Sequence, residues 1–425
     1  MRRLEYLFDL DHWQEIRAAL VHNRLRTVLT AFGVFWGIFL LMVMLGSGAG
    51  LRHGVMRGFE GGATNSLFIW TQRTQKPYAG LPAGRGLRLA NGDVQAIRDK
   101  VPEIEVVAPR NQLGGFQGGN NVTRGRKAGA FSVMGDYPEI QRIQSFRIES
   151  GRFLGRLDLE EVRKVAVIGT RVRDVLFERG EDPIGKSIVI RGVYFQVVGV
   201  FRSVQSGDDA DRDAQTIFVP FTTFQRAFNF GDRVGWLAVI SKPEVPASVA
   251  EEKVLTLLRS RHKVAPDDAR AFGHFNLEEE YQKISGLFTG IRILVWIVGT
   301  GTLAAGAIGV SNIMLIIVKE RTKEIGIRRA VGAGPAAVVA QIVVEAVILT
   351  GVAGYLGMVT GIALMELVGR LLPPGDGTRM FTNPDVGVGD ALQALAILVA
   401  AGVLAGLAPA QRALQVSPVV ALRSE

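Results

Sequence analysis

The chain has 425 residues, 48% of them hydrophobic and 21% charged, too apolar for an ordinary soluble protein and too charged for a bare membrane bundle. It contains no cysteine, which excludes disulfides, thiolate metal sites and cysteine nucleophiles within it. A net charge of +9 would suit nucleic acid, yet many lysines and arginines flank apolar segments, and four such segments exclude a soluble DNA-binding protein.

Residues 1–27 form a polar leader in which Trp13, Ile16, Leu20 and Leu25 recur near helical spacing among arginines. The pattern predicts a helix over Asp9–Arg26 lying along the cytoplasmic membrane surface. A bilayer core of about 30 Å takes roughly 20 apolar residues in a helix, and residues 28–51 are the first to supply them. This run is too long for a signal peptide and no A-x-A site follows, so it reads as an anchor.

Residues 52–290 alternate short strands with helices, which predicts a large mixed α/β domain in two lobes. Strands are expected at Leu67–Thr71, Ile104–Ala108, Lys164–Ile168, Ser187–Ile190, Tyr194–Val200, Thr216–Val219 and Leu237–Ser241. Helices are expected at Asn91–Lys100, Arg171–Arg179, Phe221–Phe228 and Ser248–Arg261, with Asn91 capping the first and Pro220 opening the third. Gly114–Lys127 reads as exposed loop, and from about Leu277 a helical pattern runs on into the second span.

Within this domain Gly180–Ser187 matches G-x-x-x-x-G-K-[ST] letter for letter. A phosphate loop follows a strand and opens a helix, so that backbone N–H groups face the phosphates. Here the order is reversed, and the string reads as a turn shaped by Pro183 and Gly185. The histidines at 12, 22, 53, 262 and 274 show no metal-ligand spacing, and His262 and His274 read as solvated. Asp208, Asp209, Asp211 and Asp213 read as a flexible acidic loop, and Glu278–Glu280 as the solvated face of a helix. No Ser/His/Asp arrangement can be assigned, so no catalytic, cofactor or metal residue is expected in the chain.

Further apolar runs at 291–318, 336–369 and 391–410 complete a bundle of four membrane helices, with the α/β domain inserted between the first and second. Lys319, Arg321, Lys323, Arg328 and Arg329 fill loop 319–335, whereas loop 370–390 has only Arg370 and Arg379, offset by Asp376 and Asp385. This asymmetry places the leader, loop 319–335 and tail 411–425 in the cytoplasm and the α/β domain outside. Glu345 and Glu366 lie well inside the third span; Glu345 is expected to snorkel or to pair with Arg328 or Arg329. Gly46 and Gly50, Gly357 and Gly361, and Gly402 and Gly406 each stand four apart, a spacing that supports close helix packing.

The stretch GAIGVSNIMLIIVKERTKEIGIRRAVGAGPAAV (Gly306–Val338) resembles the hallmark of the MacB/FtsX-type ABC-transporter permeases. Glu15–Gly37 resembles that family's entry into its first span, Val165–Val200 its external core domain, and Ser417–Glu425 its C-terminus. The resemblance implies a permease that forms a homodimer in the membrane lipid and works by mechanotransmission, with two copies of a separate ATPase holding ATP and Mg. It implies that Lys319, Glu320, Arg321, Glu324, Ile325, Gly326, Arg328 and Arg329 couple the permease to that ATPase. Ile325 and Ile327 would offer apolar contacts there, and the arginines charge pairing. An adaptor protein leading to an outer-membrane duct would complete an exporter. The rival expectations are an FtsX-like scaffold that activates a cell-wall hydrolase and a permease that extracts lipoproteins. The size of the external domain favours export.

Overall fold

The computed structural model describes residues 24–59, 62–113, 121–144, 146–204, 207–332, 334–371 and 381–415. The leader helix expected over Asp9–Arg26 and the family-like ending Ser417–Glu425 lie largely or wholly outside them. Four of the described helices are long and apolar enough to cross a membrane. They are α1 (Arg24–Met56), α9 (Leu277–Glu320), α11 (Pro335–Leu371) and α12 (Val388–Leu414), each reaching past the apolar run that foretold it. At 44 residues α9 is about 66 Å long, twice what a bilayer core requires.

The four helices make one compact unit with α10 (Thr322–Ala330), and the α/β domain is a second unit. In the helical unit Ile38, Leu41 and Met42 of α1, Leu303, Val310 and Met314 of α9, Ile342 and Leu349 of α11, and Leu398 of α12 close one core. The opposite faces leave Leu294, Ile297, Ile308, Leu356 and Leu404 more than half exposed, as lipid-facing positions should be. Small residues set the spacing. A Cβ on Gly357 would stand 2.4 Å from the Phe35 carbonyl of α1, and one on Gly406 would stand 2.9 Å from Val343 Cα of α11. Gly46, Gly361 and Gly402 meet neighbouring helices of the same chain as closely, and Gly50 meets Phe381 and Pro384. All three glycine pairs are therefore used within the bundle.

The α/β unit has strands β1 (Ser66–Thr71), β2 (Leu89–Ala90), β3 (Ile104–Leu113), β4 (Val122–Arg124), β5 (Lys127–Gly129), β6 (Ser132–Asp136) and β7 (Phe146–Gly151). They continue as β8 (Val165–Gly169), β9 (Ser187–Ile190), β10 (Val193–Ser203), β11 (Thr216–Pro220), β12 (Arg233–Val234), β13 (Trp236–Ser241) and β14 (Phe272–Asn276). Its helices are α2 (Asn91–Lys100), α3 (Ile140–Ile143), α4 (Arg156–Glu160), α5 (Thr170–Leu176), α6 (Asp208–Ala214), α7 (Phe221–Ala227) and α8 (Ala247–Arg261).

One mixed sheet runs β14-β1-β13-β3-β6-β11-β8-β10-β9-β4-β5, with β7 added on β10. Successive side chains of a strand point to opposite faces. Val107 and Val239 thus join a core with Val254 and Leu258 of α8, while Val106, Ala108, Ala238 and Ile240 join an aromatic core with Phe153, Phe201 and Phe218. A third core under β8, β9 and β10 makes the second lobe. Between the lobes Arg110 and Asp136 form a buried ion pair.

Several local expectations are corrected. Asn91 is the first residue of α2; Ala90 is its cap, with its N–H donated to Asp93, and the Asn91 amide meets Gln225 instead. α5 stops at Leu176, and Gly114–Lys127 contains strand β4 and the first residue of β5. The acidic run at 208–213 is helix α6, because carboxylates in a first turn face the positive end of the helix dipole. Glu278 is not merely solvated, since it accepts the N–H of Ala247 at the start of α8. His262 is no surface histidine either: it meets Asp93 at 2.9 Å, while His274 meets Glu251 at 3.1 Å.

Candidate functional site

The segment between the second and third spans carries the candidate residues. α9 ends at Glu320, and a single residue, Arg321, with φ −94° and ψ 16°, separates it from α10. α10 ends at Ala330, Gly332 takes φ +105°, and Pro335 opens α11. Gly is the residue that reaches such a φ without strain, and proline suits the first helical position because its missing N–H would be unpaired there anyway.

α10 is amphipathic in a way that divides the eight candidate residues. Arg321, Glu324, Ile325 and Arg328 recur at helical spacing and line a cavity of about 30 Å³ against α11. Arg328 Nη2 lies 3.0 Å from Glu324 Oε1, and its Nη1 donates to Gln341 Oε1 at 3.1 Å. Arg321 Nε lies 3.5 Å from Glu324 Oε2, and its Nη1 lies 3.6 Å from Glu345 Oε2. Charges of alternating sign thus run from Arg328 through Glu324 and Arg321 to Glu345. Arg329 donates to the Leu414 carbonyl at 2.8 Å, a cation on the last turn of α12. Ile325 packs against the bundle core and Gly326 is buried.

The other face points out. Lys319, Glu320 and Lys323 are exposed, Ile327 is 44% exposed and Val331 85%. Ile325 and Ile327 therefore differ: the first packs α10 onto its own bundle, and the second is exposed. The partner of Glu345 is also corrected, being Arg321 and neither Arg328 nor Arg329. Sequence reading passed over Gln341 and Val331. A helical wheel puts Val331 beside Glu324, so its exposure comes from its place just past the end of α10 and not from the helix face.

The phosphate-loop-like string has other work. It joins α5 to β9, and Gly180 and Gly185 have φ of 83° and 78°. Gly185 N–H donates to Val197 O and Lys186 N–H to Pro183 O. Glu181 takes both guanidinium ends of Arg124, at 2.5 and 3.0 Å. Its backbone donors are spent on a turn and no helix follows, so it lacks the geometry of a phosphate cradle. Among the described residues no group of three or more His, Asp or Glu is placed to hold a metal ion.

Comparison with known proteins agrees with this division of the chain. Residues 27–257 match the MacB-like periplasmic core domain, and residues 296–418 match the FtsX-like permease C-terminal region. The pyoverdine export ATP-binding/permease protein PvdT of Pseudomonas putida is 33% identical over 406 residues, covering 95% of this chain and 58% of that protein. The macrolide export ATP-binding/permease protein MacB of Bdellovibrio bacteriovorus is 27% identical over 419 residues, covering 98% of this chain and 62% of that protein. The chain thus spans about 60% of the length of these curated relatives. The solved periplasmic region of MacB from Actinobacillus actinomycetemcomitans aligns with a TM-score of 0.42 and 21% identity, over 53% of this chain and 95% of that one.

Proposed function

Because this chain belongs to the ABC-transporter permeases that join a MacB-like periplasmic core domain to an FtsX-like permease region, we propose that it converts ATP hydrolysis by a partner ATPase into work outside the cytoplasm. The protein resides in the bacterial inner membrane, with both termini and α10 cytoplasmic and the α/β domain external. Two copies of the chain and two of the ATPase make the assembly, and ATP and Mg belong to the ATPase. When the ATPases close on ATP they displace α10. The displacement passes to α9 and α11, which flank it in the chain, and reaches the external domain by mechanotransmission. The relatives named above export pyoverdine and macrolides, so the work assigned here is export of a compound of that kind from the periplasm, through an adaptor protein and an outer-membrane duct.

One observation carries this reading. The inner face of α10 is committed to its own bundle, while Lys323, Ile327 and Val331 present two apolar side chains and a cation outward. An apolar centre with a charged rim is the composition of a protein-binding surface. The test is capture of the ATPase by the detergent-solubilised chain, with Ile327→Asp and Lys323→Glu variants beside it. Both variants should lose the ATPase while keeping their helix content. Undiminished capture by both would overturn the assignment of this face.

A further inference from the structure

Glu345 is only 4% exposed, and it lies about 15 Å along α11 from Pro335. Its Oε2 faces Arg321 at 3.6 Å, and its Oε1 is buried without a hydrogen-bond partner among the described residues. Such a carboxylate is a poor way to stabilise a bundle. It gives up hydration, and one ion pair at that distance returns only part of the loss. Replacing a buried ion pair by apolar groups of similar volume is often neutral or stabilising. Packing alone therefore gives no reason for an acid at this position.

Its partner supplies a reason. Arg321 is the single residue that breaks the path from α9 to α10. The side chain drawn to the buried acid thus belongs to the one residue whose backbone sets the angle between those helices. The cavity beside the pair, about 30 Å³, has room for one water or for the guanidinium to slide toward the free oxygen. Other side-chain ties on α10, from Arg328 to Gln341 and from Arg329 to the Leu414 carbonyl, lie on its later turns. At the hinge the Arg321 N–H donates to Ile317 O and Thr322 Oγ1 to Lys319 O, contacts to α9 that leave the tie to α11 there to Glu345.

We propose that Glu345 is the positioning residue of the coupling element: through Arg321 it fixes the angle at which α10 leaves α9 and makes α10 move with α11. The inference rests on the coupling reading above and deepens it. Glu345 touches no nucleotide and no ATPase. Its free oxygen lets the pair change from one contact to two as α10 is displaced, so the tie persists through the stroke.

The test uses the full chain in lipid nanodiscs, with Glu345→Leu and Arg321→Gln variants. Hydrogen exchange over residues 322–330 is read on the chain alone, and ATPase turnover is read on the captured complex. Glu345→Leu should capture the ATPase equally well, because Arg321 is partly exposed and keeps Glu324 at 3.5 Å. Both variants should exchange roughly tenfold faster over 322–330 and turn over ATP severalfold more slowly. Unchanged exchange in both variants, with capture intact, overturns the proposal alone. Faster exchange with unchanged turnover makes the pair structural only and overturns it as well. If the parent chain captures no ATPase, the coupling reading falls and takes the proposal with it.

Discussion

Asp136 on β6 accepts two hydrogen bonds from Arg110 on the adjacent strand β3, at 2.7 Å from Nε and 3.0 Å from Nη2, and the carboxylate is completely buried. The pair lies where the two lobes of the external sheet meet, and the guanidinium also sits 5.6 Å over the Trp236 ring.

Burial pushes the Asp136 carboxyl up to about 6, although Arg110 pulls the other way. A folded-state value above the ordinary 3.8 means that this residue's contribution is full below pH 4 and is lost as pH rises through 6. The external domain should accordingly lose stability from this group between those limits and none above them. Asp136→Asn should flatten that part of the profile. At pH 7 it should also cost about 3–5 kcal/mol, because the Arg110 charge is left buried alone. Chemical unfolding followed by tryptophan fluorescence, from pH 4 to 8, reads both effects.

Asp93 behaves in the opposite sense. Burial would raise its carboxyl, but hydrogen bonds from His262, Arg261 and the Ala90 N–H outweigh that and hold it at about 2. A lowered value contributes stability above the ordinary 3.8 that disappears as pH falls toward 2. Asp93→Asn should cost about 2 kcal/mol at pH 7 and almost nothing below pH 2. Paired denaturation curves at neutral and acid pH check the sign.

Gly357 is fixed by the backbone of α1, since a Cβ would meet a carbonyl oxygen that no rotamer can move. Gly357→Ala should lower the stability of the helical unit by about 1–3 kcal/mol through overpacking. Gly351, on the same helix with open space around it, should accept alanine without loss. Thermal unfolding in detergent separates the two, and a gain at both positions would mean that helix propensity rather than close approach decides.

Lys186 matches the lysine of a phosphate loop but stands 4.0 Å from Glu181, in a turn whose backbone donors are engaged. Lys186→Ala should leave ATP turnover by the captured complex unchanged. A tenfold or greater fall, of the size expected for a lost phosphate contact, would restore a nucleotide role to this loop.

The spans and half of the fourteen described strands were legible because burial writes apolar runs into the sequence. A long apolar run marks a bilayer helix, and short apolar runs mark strands buried on both faces, such as Ser66–Thr71 and Trp236–Ser241. What stayed hidden depends on distant partners. Nothing local to Leu67 says that it sits between Val239 and Asn276, and nothing local to Glu345 says which arginine reaches it. That choice turns on where α9 breaks, and Arg321 has no glycine or proline beside it to mark the break. Ile325 and Ile327 look alike in sequence, and only the fold separates a core contact from an open one. The acidic run at 208–213 shows a further limit: composition suggested a loop, while the helix dipole favours those same charges at a helix start.

In the external sheet β1 lies between β13 and β14, both of which come from the far end of the domain. A chain delivered across the membrane from its N-terminus presents Ser66–Thr71 first, with unpaired edges on both sides, and must export some 170 further residues before Trp236 emerges to pair with Trp70. For that whole interval an apolar strand stands exposed in the envelope, the condition under which nascent chains aggregate. A chain stopped short of Phe272 therefore leaves one edge of β1 without its strand, and the sheet cannot close.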